Sequence, residues 1–157
     1  MTTAAEAVAV AAGVRVDVAG RVWTVTLSRP ERANALDDAM ARALLAAVDD
    51  ASAADARALV LRSTGRAFCA GFDMGDLPEA SDGDLALRFL RVGELLEALY
   101  AAPFVTVACV AGPAVGAGAD LVAACDHRLL EPAARLGFPG AAFGIVLGSR
   151  RLAGLVG

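Results

Sequence analysis

Residues 111–121 read Ala111-Gly-Pro-Ala-Val-Gly-Ala-Gly-Ala-Asp-Leu121, and this stretch decides the predicted fold. It follows an apolar run over residues 104–110 and leads into a second apolar run that ends near Ala124, in the order strand, glycine-rich turn, helix. Small residues let a ligand approach the backbone closely, and the first N–H groups of a helix have no partner inside the helix. The stretch therefore predicts either a tight turn or an oxygen-binding site at the start of a helix.

A second glycine-rich segment, Arg66-Ala-Phe-Cys-Ala-Gly-Phe-Asp-Met74, follows the short apolar run at residues 58–61. That run is apolar throughout, as expected for a strand covered on both faces. A glycine-rich turn after a strand is most often only a turn, so neither segment alone indicates a function. The G-x-G-x-x-G spacing of a dinucleotide-binding turn is missing from residues 111–121, which argues against such a cofactor.

The rest of the chain alternates between strand and helix patterns. Residues 14–28 alternate polar and apolar around Ala19-Gly20, which predicts a β-hairpin. Helices are predicted from Asp37-Asp38 to about residue 50, over about 84–101 and over 117–124, and a short strand at 128–130. This order predicts an α/β fold with parallel crossovers. We expect one core domain over residues 14–157, preceded by a flexible segment at 1–13.

Composition narrows the function classes. The 157-residue chain has a formal net charge of −4, so nucleic acid would meet an overall repulsive field. All 14 cationic side chains are arginine, which excludes a Schiff-base lysine.

The three cysteines lack C-x-x-C spacing and lie among apolar residues, which argues for a reducing cytoplasm. Prolines and glycines interrupt the uncharged residues 98–119, so we expect no membrane span, and no His/Cys/carboxylate cluster predicts a metal site.

Taken together, the segments resemble the crotonase superfamily, also known as the enoyl-CoA hydratase/isomerase family. The matches keep the family's order and spacing from about residue 14 to residue 157. They comprise Leu27-Ser28-Arg29-Pro30 with Asn34-Ala35-Leu36, Leu59-Val60-Leu61 with Ala67 to Asp73, and Pro103 with Gly112 to Leu121 and Cys125-Asp126. The resemblance implies a crotonase-like ββα spiral core. It also implies that the helical carboxy-terminal part with which family members continue is absent from this chain.

The resemblance also assigns a site. The peptide N–H groups of Phe72 and Ala117 are expected to form an oxyanion hole for a thioester oxygen, with Ala117 standing where family members usually have glycine. Fixed donors at a helix start stabilise developing negative charge without reorganising. The CoA portion of the substrate is expected along Glu31, Arg32, Ala33, Ala35, Ala70, Asp73, Met74 and Gly116. Arg32 and Arg66 are the cations available for its phosphates, unless both are solvated surface arginines.

The acid/base residues depart from the family pattern. Family hydratases use two glutamates, whereas this chain has Asp120 at the first position and Gly140 at the second. Asp120 is one methylene shorter than glutamate, and an acidic residue in a first helical turn is favoured by the helix dipole whatever the function. We expect Gly140 to leave a gap for water or a small anion, and Gly140→Glu to raise hydration. A nucleophilic system would have to use His127, the only histidine, but no G-x-S-x-G turn accompanies it.

Two hypotheses follow from these residues. The first is an enzyme that stabilises a thioester enolate, an enoyl-CoA hydratase or isomerase without a cofactor other than the CoA of its substrate. The second is a catalytically silent acyl-CoA binding or assembly protein of the same fold. By resemblance, the chain is expected to form homo-oligomers, either trimers or hexamers.

Overall fold

The fold is a mixed α/β core, seen in a computed structural model that describes residues 6–157. The strands are β1 (Glu6–Ala11), β2 (Val14–Ala19), β3 (Val22–Leu27), β4 (Ala58–Ser63), β5 (Val105–Val110), β6 (Pro113–Val115), β7 (His127–Leu130) and β8 (Arg135–Gly137). The helices are α1 (Asp38–Ala53), α2 (Asp82–Tyr100), α3 (Ala117–Ala124) and α4 (Ser149–Val156). Short 3-10 turns occupy Pro30–Arg32 and Pro139–Phe143.

Six strands form the main sheet in the order β1-β2-β3-β4-β5-β7. The predicted hairpin is present, because β2 and β3 pair antiparallel with Val16 opposite Val25. From β3 onwards the neighbouring strands are parallel, which confirms the predicted crossovers. A separate small sheet pairs β6 with β8 in parallel.

Helices α1 and α2 begin at side-chain caps that the sequence provides. The Asp37 carboxylate accepts a hydrogen bond from the Met40 N–H at 2.8 Å, and Ser81 with Asp84 forms a reciprocal capping box. Helix α1 ends three residues beyond the predicted boundary, whereas α3 has the predicted bounds. Both long helices contribute buried apolar side chains to one hydrophobic core with the sheet strands, and Trp23 of the hairpin joins that core with 8% of its surface exposed.

The amino-terminal segment contains a strand that the sequence did not predict. Residues 6–11, within the segment expected at 1–13, form β1, which pairs antiparallel with β2 at the edge of the sheet. An edge strand offers unpaired backbone N–H and C=O groups, and a short neighbouring segment satisfies them whatever its side chains. Residues 1–5 of that prediction lie outside the described residues. Strands β6 and β8 and helix α4 were also not predicted.

The topology brings the two glycine-rich segments to one end of the sheet. Strands β4 and β5 are parallel, so the loops after their carboxyl ends emerge on the same side. His127 lies at the amino end of the parallel strand β7, away from those loops, and is exposed. No helix among residues 6–157 is both long enough and apolar enough to cross a membrane.

Candidate active site

The two glycine-rich segments pack backbone against backbone. The Phe68 N–H donates to the Pro113 carbonyl at 2.9 Å, and the Val115 N–H donates to the Cys69 carbonyl at 2.9 Å. A Cβ on Gly118 would lie 2.4 Å from the Cys69 carbonyl oxygen, so no larger residue fits there without movement. The close approach therefore explains why both segments are rich in glycine and alanine.

Gly71 also lies at the contact between the two glycine-rich segments, close to the main chain of Val115. Its φ of 94° lies in the left-handed region that favours glycine, and an added Cβ would lie 2.6 Å from the Val115 carbonyl oxygen. That Cβ position is also 3.5 Å from the Ala117 nitrogen. The backbone before Phe72 thus lies directly beside the start of α3.

The Phe72 N–H is left without a partner while its neighbours are engaged. The Ala70 N–H donates to the Ala33 carbonyl at 3.0 Å, the Gly71 N–H to the Cys69 Sγ at 3.4 Å, and the Asp73 N–H to the Leu36 carbonyl at 2.9 Å. Within residues 6–157, the Phe72 N–H itself donates to no protein group. Burial raises the pKa of the Cys69 thiol to about 12, so this cysteine remains a neutral acceptor beside the loop.

Ala117 provides the second free amide. It is the first residue of α3, where an N–H has no partner within the helix, and Gly116 before it caps the helix with a φ of 53°. The Gly116 N–H is occupied, because it donates to the Gly137 carbonyl at 2.8 Å. Among the described residues the Ala117 N–H has no hydrogen-bond acceptor. Phe72 and Ala117 line one cavity, as the predicted oxyanion hole requires.

That cavity has a volume of about 270 Å³ and a mainly apolar lining. Its walls are Ala70, Gly71, Phe72, Met74, Phe89, Val115, Gly116, Ala117, Asp120, Phe138, Pro139, Gly140, Ile145 and Leu147. The Phe72 ring stacks on the Phe89 ring of α2 with centroids 4.6 Å apart. The cavity wall therefore contains the two residues with free N–H groups next to an apolar surface.

Among the described residues, Asp120 is the one carboxylate that lines the cavity, and only 7% of its surface is exposed. Burial raises the pKa of its carboxyl group above the ordinary value, and the positive charge of Arg151 offsets part of that rise. Gly148 makes room for it, because a Cβ there would lie 2.0 Å from Asp120 Oδ1. Asp120 thus combines a first-turn helix position with burial in the cavity, which the helix dipole alone does not require.

Gly140 lines the same cavity. The gap that the sequence predicts beside it is partly filled by the main chain of Ile145. A Cβ on Gly140 would lie 2.7 Å from the Ile145 carbonyl oxygen, and the Ile145 N–H donates to the Gly140 carbonyl at 2.9 Å. Main-chain atoms therefore occupy the space into which a side chain at residue 140 would project. A glutamate at this position requires the segment 140–145 to shift.

The predicted CoA-contact residues divide into two groups. Ala70, Met74 and Gly116 line the cavity, with Met74 66% exposed. The others do not line it and belong to the neighbouring loops: Glu31, Arg32, Ala33, Ala35, Arg66 and Asp73. Glu31 and Arg66 are exposed, whereas Ala35 is buried.

Arg32 is already engaged with Asp73. Its Nη2 lies 2.9 Å from Asp73 Oδ1, and Arg29 Nη2 lies 3.2 Å from Asp73 Oδ2. Burial alone would raise the pKa of Asp73, but the Gly75 N–H and the two guanidinium groups outweigh it and hold that pKa below its usual range. The Arg32 side chain remains 50% exposed, so it can face a phosphate while it keeps this ion pair.

Three residues near the site were not predicted as functional. Phe89 of α2 forms part of the cavity wall, and Gly148 leaves room for Asp120. Asn34 hydrogen-bonds to the main chain of Thr64 and so joins two neighbouring loops. Each acts through a partner more than 15 positions away in the sequence, so no local pattern could have identified it. No group of three His, Cys, Asp or Glu side chains in the described part of the chain is placed to hold a metal ion.

Comparison with known proteins identifies the family of this chain. The profile of the family described as "Enoyl-CoA hydratase/isomerase" matches residues 17–156. The "Probable enoyl-CoA hydratase echA6" of Mycobacterium tuberculosis is 41% identical over 140 residues, which cover 87% of this chain and 55% of that protein. The chain thus spans about half the length of the curated relatives it matches.

Solved structures share the fold. A Bordetella parapertussis protein assigned to the enoyl-CoA hydratase/isomerase class superposes with a TM-score of 0.91 at 42% identity, covering 92% of this chain and 61% of its own. An enoyl-CoA hydratase of Mycobacterium smegmatis gives 0.84 at 34% identity, covering 92% of this chain and 58% of its own. With these matches, the chain belongs to the enoyl-CoA hydratase/isomerase family of the crotonase superfamily.

Proposed function

We propose that this protein acts on an acyl-CoA thioester and stabilises its enolate between the Phe72 and Ala117 N–H groups. The observation that carries the proposal is the pair of unpartnered amides on the wall of one apolar cavity that also contains a buried carboxylate. An oxyanion in such a place is stabilised by donors that need not reorganise, and each donor contributes about 2.7–4 kcal/mol in comparable sites.

Asp120 is the proposed acid/base. In its ionised form it removes a proton from the α or γ carbon of the acyl group, and the electron pair moves to the thioester oxygen. The same carboxyl group then returns the proton to either carbon, so one residue suffices for exchange or double-bond isomerisation. Hydration needs a second group to activate water, and Gly140 has no side chain to supply it. We therefore favour isomerisation over hydration.

The remainder of the substrate is proposed to lie on the loops beside the cavity. Ala33, Ala35, Ala70 and Met74 are proposed to border the path of the pantetheine, and Arg32, which donates a hydrogen bond to Asp73, is proposed to meet its phosphates. Glu31 and Arg66 are exposed charged residues on these loops. No further cofactor is proposed, since the CoA of the substrate supplies the activated thioester.

Exchange of substrate hydrogen is the most direct test. Butyryl-CoA is incubated with the protein in deuterium oxide, and deuterium at the α carbon is measured by mass spectrometry. We expect incorporation with the wild-type chain, together with conversion of a 3-enoyl-CoA to its 2-enoyl isomer. An absence of both reactions at saturating ligand would contradict the enzymatic proposal.

A catalytically silent acyl-CoA binding protein is the second candidate. The observation that favours it is the Ile145 carbonyl, which stands where a side chain at residue 140 would project. This candidate predicts that butyryl-CoA raises the melting temperature without any deuterium incorporation, because a ligand that binds only the folded state stabilises it.

We also propose that the protein self-associates, as the trimer or hexamer that the family resemblance implies. Its proposed location is the cytoplasm. Exposed apolar side chains support self-association, among them Leu129 (61% exposed), Val146 (61%) and Val156 (73%). Light scattering is expected to show oligomers, and a stable monomer at high concentration would overturn this part of the proposal.

A further inference from the structure

The loop at residues 29–36 is organised around one buried side chain, Asn34, which has no exposed surface. Its Oδ1 accepts a hydrogen bond from the Arg29 N–H at 2.8 Å. Its Nδ2 donates to the Thr64 carbonyl at 2.7 Å and to the Ala67 carbonyl at 2.9 Å. Both donors of the carboxamide are therefore used, and they hold the start of the segment that ends at Phe72.

Backbone contacts of the same loop continue this attachment up to Phe72. The Leu36 N–H donates to the Gly71 carbonyl at 2.7 Å, and the Leu36 carbonyl accepts from the Asp73 N–H at 2.9 Å. These two hydrogen bonds fix Gly71 and Asp73, the residues on either side of Phe72, and leave the Phe72 N–H free. Asn34 thus fixes one end of the segment while Leu36 fixes the other.

The backbone conformation of this loop is unusual for its residues. Ala33 and Asn34 have φ angles of 50° and 55°, two consecutive left-handed positions without glycine. Asparagine adopts this conformation more readily than other residues with a side chain, whereas alanine is strained in it. Surrounding contacts must maintain such strain, and it is concentrated at functional sites.

We propose that Asn34 is a positioning residue, which sets the direction of the Phe72 N–H by holding residues 64–67 through its carboxamide. It is fully buried and does not line the cavity. The inference rests on the proposed oxyanion function of Phe72. It adds that the catalytic donor depends on a side chain that never meets the substrate.

The test measures polarisation of the thioester directly. Butyryl-CoA labelled with ¹³C at the thioester carbonyl is bound at saturation, and its carbonyl stretching band is recorded by difference infrared spectroscopy. In the wild-type chain the band is expected to move to lower frequency, since two N–H donors polarise the carbonyl. No shift in the wild-type chain would contradict the proposed function itself.

Asn34→Ala is expected to bind butyryl-CoA at saturation but to lose most of that shift, with α-proton exchange about 10²-fold slower. Asn34→Asp keeps the acceptor for the Arg29 N–H and loses both Nδ2 donors, so it should show the same loss. The matched control is Thr106→Val, which removes a fully buried hydroxyl that hydrogen-bonds to Asp126 at the far end of β5. The control should keep the full shift. A full shift in a folded Asn34 variant would overturn the inference.

A second readout needs no variant and decides the matter if the variants do not fold. The chain contains one asparagine and no glutamine, so Asn34 gives the only side-chain carboxamide signal in a ¹⁵N spectrum. We expect its Nδ2 protons to exchange slowly and to shift together with the Phe72 amide when butyryl-CoA binds. A Phe72 amide that shifts while the Asn34 signal stays unchanged would also overturn the inference.

Discussion

The two walls of the cavity are built differently. The oxyanion wall, residues 67–73 with 112–118, is tied to itself and to the 29–36 loop by many main-chain hydrogen bonds. The distal wall, residues 138–148, closes on itself through the bond between the Ile145 N–H and the Gly140 carbonyl. The proposed oxyanion hole is thus held by many main-chain hydrogen bonds, whereas the proposed acid/base chemistry depends on Asp120 and on a wall that lacks a second carboxylate.

The comparison is tested most severely at Asp120, the single proposed acid/base, which lies on α3 and faces Gly148 of the distal wall. Asp120→Asn should slow α-proton exchange by about 10²–10⁴-fold, because it removes a positioned base. Deuterium incorporation into butyryl-CoA measures the rate, and calorimetry should show that binding persists. Asp49→Asn, a change at an exposed carboxylate of α1, is the control. Full activity in Asp120→Asn would mean that Asp120 is only a helix-start residue.

Rigidity of the oxyanion wall is tested by Gly118→Ala. The new Cβ would meet the Cys69 carbonyl oxygen at 2.4 Å and push the two segments apart. We expect exchange to fall about 10²-fold, as when a donor is misplaced by roughly 1 Å. Gly93→Ala is a matched helical control, since a Cβ there meets nothing within 4 Å. Equal rates in the two variants would show that the wall yields easily.

The distal wall is tested by Gly140→Ala. Its Cβ would lie 2.7 Å from the Ile145 carbonyl oxygen, so the free energy of unfolding should fall by about 1–3 kcal/mol, the cost of a strained insertion. Gly154→Ala in α4, where a Cβ meets nothing within 4 Å, should not destabilise the chain. Denaturant titration measures both variants. If Gly140→Ala is neutral, the segment 140–145 shifts freely, and the expected gain of hydration in Gly140→Glu becomes accessible.

The smallest effect is a pH dependence of stability. Burial raises the pKa of Asp120, so the folded state binds this proton more tightly than the unfolded state does. The resulting stabilisation is complete below the unfolded pKa and is lost as pH rises through the folded pKa. Asp120→Asn should therefore raise the melting temperature at neutral pH and leave it unchanged at low pH. The exchange rate has the opposite trend, since it rises as Asp120 ionises.

How much the sequence predicts differs between the two walls. Helix α3 was predicted with its observed bounds. Small residues such as Gly71 and Gly118 indicate a close backbone approach in the sequence, and the structure shows one at both positions. Family resemblance added Phe72 and Ala117. The distal wall was not predictable in the same way, because the Ile145 carbonyl reaches Gly140 only after the 3-10 turn forms.

Long-range hydrogen bonding was the other missing information. Asn34 stood within a recognised motif, but its partners are the main-chain carbonyls of Thr64 and Ala67, and a carbonyl has no sequence signature. Strand β1 was missed for a related reason, since its pairing with β2 is a property of the sheet edge.

A crystal structure of the chain with bound butyryl-CoA tests the proposed site most directly. We predict that the thioester oxygen lies about 2.7–3.1 Å from both the Phe72 and the Ala117 nitrogen atoms, with the acyl group against Phe89 and the α carbon facing Asp120. A thioester oxygen bound elsewhere, or Phe72 and Ala117 amides that point apart in the complex, would contradict the proposed oxyanion hole.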